Sequence, residues 1–426
     1  MKTKLKWLAL PLLAFCVFAF ASCSNDDGPS YSSKVLKNTE LMTVLKSKGY
    51  TFDKDGKLEL NDLANNTTSL DLSGTKLTDF TGLDILPNLK EVKLSNNGYG
   101  PTFDFSKLPA QITGVDLTGN EVYEYKNLIS VKVEENGDET ITDLHPLTKL
   151  YLPAGAKYDM ETIVRFYRHH KKDIEAGKLD LKMADSKGNL QAYNTLREIP
   201  DALLLDYFKK NFPSMMAADG KHVDLSKHLD NKDKVNDFVI NVDKVSDPHP
   251  TSLEGVQYIL ANPYWEGNTF TLIVPEKVEL PYLKVGDKLQ QLLLFRVDVA
   301  HGINFENAKS LCRLILESVG KISDVNLSKS ELWGQRGVGE DLQDFTGTII
   351  ALVDCPELTT LTLPKKEVLR ASQVEFFRLP QLTSIDLAPF TGIGTLNIGE
   401  LGAACKLTYP NALKEWNSYG GYLPDE

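Results

Sequence analysis

Three short apolar pairs recur at nearly constant spacing, and that recurrence constrains the fold more than any other feature of the chain. Leu70-x-Leu72, Val92-x-Leu94 and Val115-x-Leu117 lie 22 and 23 residues apart, and Thr75, Asn97 and Asn120 follow each pair at the same offset. Residues two apart in a strand share one face, so each pair turns an apolar stripe inward. An asparagine just behind the stripe can satisfy backbone groups that stacking would bury. Phe80, Leu83, Leu86 and Leu89 step by three, which suits a tighter helical wall on the other side. A single unit of this kind cannot bury its stripe; stacked neighbours share one continuous core.

The pattern, specific over 60–136, resembles the leucine-rich-repeat domains of the bacterial internalin-like type. A second periodicity occupies the C-terminal third. CPELTTLTLP (355–364) and RLPQLTSIDL (378–387) align Leu358 with Leu382 at a period of 24, and Ile349, Leu361, Ile385 and Leu396 step by 12, 24 and 11. Steps near half a period predict two short strands per repeat on opposite walls. The phrases LTTLTLP and LTSIDL resemble the BspA-like leucine-rich repeats of bacterial surface proteins, best over 349–398 and more thinly over 268–344. The segments 147–153 and 270–278 carry the same strand-then-proline rhythm. Together the resemblances imply an α/β leucine-rich-repeat solenoid with short parallel strands and an irregular 3-10 or helical outer wall. A helical insertion and an N-terminal helical cap complete that expectation.

The first thirty residues predict a location. MKTKLK is basic, residues 7–20 form a 14-residue apolar run, and Ala21 and Ser22 precede Cys23. The run is shorter than the ~20 residues a spanning helix needs, so residues 1–22 read as a secretory signal. Phe20-Ala21-Ser22-Cys23 resembles the lipobox of bacterial lipoproteins, with Phe20 in place of the usual Leu. The resemblance implies lipidation at Cys23, and Ser24 to Asp27 resembles the acidic tag of lipoproteins displayed on the outer surface. The expected location is the outer membrane, lipid-anchored and facing the cell exterior, with 23–33 as tether.

A cap is expected over 34–60, built on a helix from Glu40 to Lys48 closed by Gly49. Leucine-rich repeats follow over 61–153, an irregular helix-containing segment over 154–264, and the BspA-like repeats with a C-terminal cap over 265–426. Within 154–264 the spacing predicts helices over 158–175, with Asp159 as N-cap, and over 201–212, stopped by Pro213. Whether that segment is an insertion in one solenoid or a module between two arrays is open at this level. Ser246 to Pro250 is the best internal break.

Chemistry is sparse. Cys312, Cys355 and Cys405 are 43 and 50 residues apart, a spacing that makes neither a disulfide framework nor a zinc site and favours free thiols. Thr51 to Asp62 partly matches a calcium loop but lacks the first and last carboxylates, so a glycine turn into a strand is the favoured reading. His169 and His170 are adjacent, about 100° apart on a helix, which predicts that they do not share one ion. His222 and His228 lie among Asp219, Asp224, Asp230 and Asp233, expected as a solvated acidic face. HExxH, GxSxG, GKS/GKT and CxxC are all missing from the sequence. No metal, cofactor or catalytic residue is assigned.

With 47 basic against 58 acidic residues and a net charge of -11, a nucleic-acid partner is not expected. The expectation is a non-catalytic recognition or adhesion protein that takes a protein or peptide partner, host-derived ones included, on the concave face. The outward strand positions are Asp71, Lys93, Asp116, Lys132, Thr362, Asp386 and Asn397. The alternative is a glycan-binding accessory lipoprotein of a polysaccharide-uptake system, with Trp333, Trp416 and Tyr419 as stacking candidates.

Overall fold

The computed structural model describes residues 28–135, 137–229, 237–331, 348–365 and 369–409. The chain is a mixed α/β protein made mostly of strands, with few helices and, among the described residues, no closed barrel. Two parallel sheets dominate. The first runs in chain order through Ser69–Asp71, Glu91–Lys93, Gly114–Asp116, Lys149–Leu152 and Asp180–Ala184, then closes with the antiparallel strand Leu190–Ala192. Its register places Leu70, Val92, Val115, Leu150 and Leu181 side by side. All five are buried, as are Leu72, Leu94, Leu117 and Leu152 two residues on.

The asparagine column performs the task its position suggests. Asn97 Nδ2 donates to the carbonyls of Leu72 and Leu94, both at 3.0 Å. Asn120 Nδ2 does the same for Leu94 and Leu117, at 3.0 and 2.9 Å. One position earlier, Gly74, Asn96 and Gly119 all take positive φ, so the chain turns through the left-handed region after each of these strands. At Gly119 a Cβ would sit 2.0 Å from Asn96 Oδ1; only glycine fits that stack. Phe80, Leu83, Leu86 and Leu89 are buried on the facing wall, around the 3-10 turn Leu83–Ile85.

The second sheet has seven parallel strands: Asp237–Asn241, Thr269–Leu280, Gln291–Val299, Arg313–Glu317, Ile349–Val353, Leu369–Leu379 and Phe390–Leu401. Register aligns Phe238, Phe270, Leu292, Leu314, Ile350, Val374 and Leu396, all buried. The inward residue is therefore Ile350 and not Ile349, which lies on the outward side in register with Arg313 and Gln373. In a run as apolar as IIALV, composition gives no clue to which parity faces the core.

Shorter parallel pairs form a second wall: Leu283–Lys284 with Ile303–Asn304, Asp324–Asn326 with Thr360–Thr362, and Ser384–Asp386 with Lys406–Thr408. Threonines join them. Thr359 and Thr383 each turn backbone N–H and hydroxyl onto the previous circuit, at Ser323 O and Thr359 O, over 2.9 to 3.1 Å. This explains the threonine in LTTLTLP and LTSIDL. Between the walls, Arg296, Ser318, Asp354, Arg378 and Glu400 all adopt φ between 51° and 60°. Each lies three residues after the outward mid-strand position, so one left-handed residue turns the same corner after the last five strands of the sheet.

Helices cover the start of each sheet. The helix Thr39–Ser47, N-capped by Asn38, buries Leu41 and Leu45 in the same core as Leu70. Asn38 Nδ2 reaches Asp79 O and Thr81 O, and Glu40 accepts from Thr78. The helix Ala202–Asn211, N-capped by Asp201, buries Leu204 and Phe208 against the second core, and Tyr207 OH accepts the N–H of Val239 on the first strand of that sheet, at 3.1 Å. The expected helix over 158–175 is broken: a wide turn at Met160–Val164 leads into Arg165–His169, and Lys171–Glu175 follows after His170. Asp159 caps its start through Thr162 N and Ile163 N, at 2.6 and 3.0 Å. Among the described residues no helix is long and apolar enough to cross a membrane. Cys312, Cys355 and Cys405 form no disulfide; the first two are buried and the third half-buried.

Candidate binding surface

The outward row of the first sheet contains Asp71, Lys93 and Asp116 in direct register, continued by Tyr151 and Lys182. Lys132 does not belong to it. It lies in an antiparallel hairpin, Ile129–Val133 with Glu139–Asp143, where it pairs with Glu134 at 3.0 Å. The next rung of the parallel sheet is Lys149–Leu152, because residues 127–146 are spent on that hairpin. The row neutralises itself: Lys93 lies 3.6 Å from Asp71, Lys149 2.8 Å from Glu91, and Lys182 3.1 Å from Asp180. Lys149 and Lys182 also stand 4.9 and 5.1 Å from the centre of the Tyr151 ring. Burial alone would push the Asp180 carboxyl up, but bonds from Tyr151 and Lys182 hold it below the usual range. Exposed pairs of this kind contribute about 0–1 kcal/mol each and leave little net charge for a partner.

The remaining predicted positions separate. Thr362 and Asp386 lie on the second wall of the second array, whereas Asn397 lies on the seven-stranded sheet. Cys23, Trp333, Trp416 and Tyr419 fall outside the described residues. The Thr51 to Asp62 loop is a hairpin turn: Asp53 Oδ1 accepts from Asp55 N and Lys57 N at 2.9 and 2.8 Å, and Gly56 takes φ +84°. Asp185 builds the same turn with Gly188. His222 pairs with Asp219 at 2.6 Å while His228 stacks on Tyr264 at 3.8 Å, so the two do not converge.

The outward side of the seven-stranded sheet is unlike an ordinary solvated face. One outward row reads Val239, Thr271, Leu293, Ile315, Ala351, Glu375 and Asn397; the next reads Asn241, Ile273, Phe295, Glu317, Val353, Phe377 and Gly399. Ile273, Leu293, Phe295, Ile315, Val353 and Phe377 are half-buried, although they point away from the core. Arg313 borders them. Its Nη1 reaches Gln291 Oε1 at 3.5 Å, and its Nε is buried with no partner. The signal was present in the sequence: FTLIV, QLLLF, RLILE and IIALV do not alternate, and strands apolar on both faces are those covered on both faces.

A concavity is lined by residues of 131–165 and of 260–309. A groove of about 420 Å³ has the buried Trp265 in its lining, together with Arg165, Glu161, Lys284 and Lys288. At its base Lys284 Nζ is 3.0 Å from Glu124 and also bonds Glu161. Glu124 accepts from Tyr282 and, at 2.6 Å, from Asn304. Burial opposes both charges, yet Lys284 is held above its ordinary pKa by the two carboxylates, and Glu124 below its own by the ammonium. Asp159 is buried beside them and pushed up to about 6. Arg165 donates to Glu139, which also accepts from Tyr264 OH at 2.8 Å. Trp265 carried no sequence signal beyond its identity.

The break at His170 changes the local geometry from that of a continuous helix. His170 Nε2 lies 2.9 Å from Asp143 Oδ1 and its Nδ1 3.5 Å from Asp173 Oδ2. Ligand atoms of Asp143, His169 and His170 all lie within 4.8 Å of one another, so adjacency does not keep the two rings apart as the helical expectation required. Compared with models of known protein families and with curated proteins, the chain gives no match to either.

Proposed function

We propose that the chain is a leucine-rich-repeat solenoid of a bacterial surface lipoprotein, anchored through Cys23, that binds an extended protein or peptide segment without catalysis. The repeat reading is supported by the Asn97 and Asn120 ladder and by the stacking in chain order of Leu70, Val92 and Val115, 22 and 23 residues apart. The observation that carries the binding reading is the apolar outward face of the seven-stranded sheet, bordered by the Arg313 guanidinium. Such a face suits a ligand with alternating apolar residues, the spacing of an extended chain, and a carboxylate to meet Arg313. Neither cofactor nor nucleic acid is needed.

Two experiments test this. A displayed random-peptide library panned against residues 28–426 should enrich apolar, acidic sequences whose binding is lost in Ile315→Glu; equal binding to that variant sinks the face as the site. External protease should strip the full-length protein from intact cells, and its survival would contradict outer-surface display.

A second reading, a glycan-binding accessory lipoprotein, draws on the groove with Trp265, Arg165 and Lys284. It requires that glycan binding be lost in Trp265→Ala, and is discarded if no glycan binds.

A further inference from the structure

We infer that Asp143, His169 and His170 form a binding site for a borderline transition-metal ion of the zinc class, at the seam between the hairpin Ile129–Val133/Glu139–Asp143 and the helix Arg165–His169. The break at His170, which has φ -95° and ψ 12°, lets two adjacent imidazoles serve one point. Their rings stand edge to face with centroids 4.8 Å apart. Asp143 is the last residue of its strand, and its carboxylate already meets His170 Nε2 at 2.9 Å. On the far side of that ring Asp173 Oδ2 stands 3.5 Å from Nδ1. A carboxylate behind a histidine fixes the tautomer that presents Nε2 and raises its basicity, the usual support for a metal ligand.

Two imidazoles and one carboxylate, with a fourth position open to water, match the donor set of zinc and its neighbours and not that of calcium or magnesium, which take oxygen alone. Metal–ligand bonds of about 2.1 Å place tetrahedral donors about 3.4 Å apart. The widest separation must therefore close by up to about 1.4 Å while the 2.9 Å contact between Asp143 and His170 opens slightly, within reach of side-chain torsions, and His169 is exposed and able to make that move. The ion would displace the proton held between His170 and Asp143. It would then tie the hairpin to the helix that carries Arg165, one wall of the groove.

The test is titration of the metal-free full chain with zinc chloride alone, followed by calorimetry and by thermal unfolding, with cobalt(II) as a visible-absorption probe. One equivalent should bind, raise the unfolding midpoint, and give the intense d–d bands of a low-symmetry site. His169→Ala, at an exposed position where folding is not in question, should weaken binding at least tenfold. Asp143→Asn should do likewise, and Asp173→Asn should weaken it by about tenfold through orientation alone. Absence of saturable binding at 100-fold excess, or binding unchanged in both His169→Ala and Asp143→Asn, would overturn the site.

Discussion

Asn120 Oδ1 accepts the backbone N–H of Asn97 at 2.9 Å, so Asn97 is held by the asparagine that follows it while its own Oδ1 accepts the N–H of Lys76 at 2.9 Å. Asn120 is 4% exposed and satisfies four backbone groups: Leu94 O, Leu117 O, Asn97 N and Tyr99 N. Its replacement by Ala orphans buried donors and acceptors, each costing about 1–3 kcal/mol. Urea unfolding of Asn120→Ala should show a loss of about 3 kcal/mol, larger than that of Asn97→Ala, whose side chain is half-buried.

The left-handed corner predicts a gain. Glu400 sits at φ +51° and is exposed, a conformation that costs an ordinary L-residue about 1–2 kcal/mol. Asn tolerates it better, so Glu400→Asn should raise the unfolding free energy by about 0.5–1 kcal/mol. A loss would mean that the corner is not strained.

The outward and inward parities of one strand should respond oppositely. Leu294 is fully buried, and Leu294→Ala should cost about 2–5 kcal/mol. Leu293 lies on the outward face, and Leu293→Lys should cost under about 1 kcal/mol in the same urea titration. Equal destabilisation would show that the outward face is internally covered.

Two buried carboxyls at the junction have opposite pH signatures. Asp159 has its folded pKa raised to about 6 by burial, above the unfolded value of about 3.9. Its contribution is therefore fully present below about pH 4 and is lost as pH rises through 6, by on the order of 2–3 kcal/mol. Glu124 is depressed despite burial, through Lys284; its contribution is present above its unfolded pKa and lost as pH falls through the folded one. The stability difference between wild type and Asp159→Asn should thus grow in favour of wild type from pH 7 to pH 4. A difference flat across that window contradicts the assignment. Lys284→Met, which strands Glu124, should cost about 3–5 kcal/mol, and adding Glu124→Gln should recover most of it.

The ladder Leu70, Val92, Val115 was legible because short residues with strict offsets did two jobs at once, packing and backbone satisfaction. The continuation through Leu150 and Leu181 was not, because the intervals lengthen to 35 and 31 residues once the hairpin and the broken helix intervene. In the second array the half-period steps were readable, but the corners were hidden. Arg296, Ser318, Asp354, Arg378 and Glu400 carry none of the Gly or Asn signal that marks a left-handed turn. Parity inside QLLLF and IIALV was likewise hidden, since both faces are apolar. Of the candidate site, the charged positions were visible, and Asp71 and Lys93 proved to pair with each other, whereas Arg313 and the residues around Lys284 depend on contacts far apart in sequence. Lys284 meets Glu124 and Glu161 across more than 120 positions.

Because Ala202–Asn211 lies in mid-chain yet does for the second sheet what Thr39–Ser47 does for the first, the molecule can be finished in instalments. By the time Leu190–Ala192 has been synthesised, the earlier half holds its own lid and its own closing strand, and only its rim of Tyr123, Tyr158, Met160 and Val164 waits for the second core. The later half likewise begins with its cover already made, so neither growing edge has to stand bare in the order in which the ribosome delivers them.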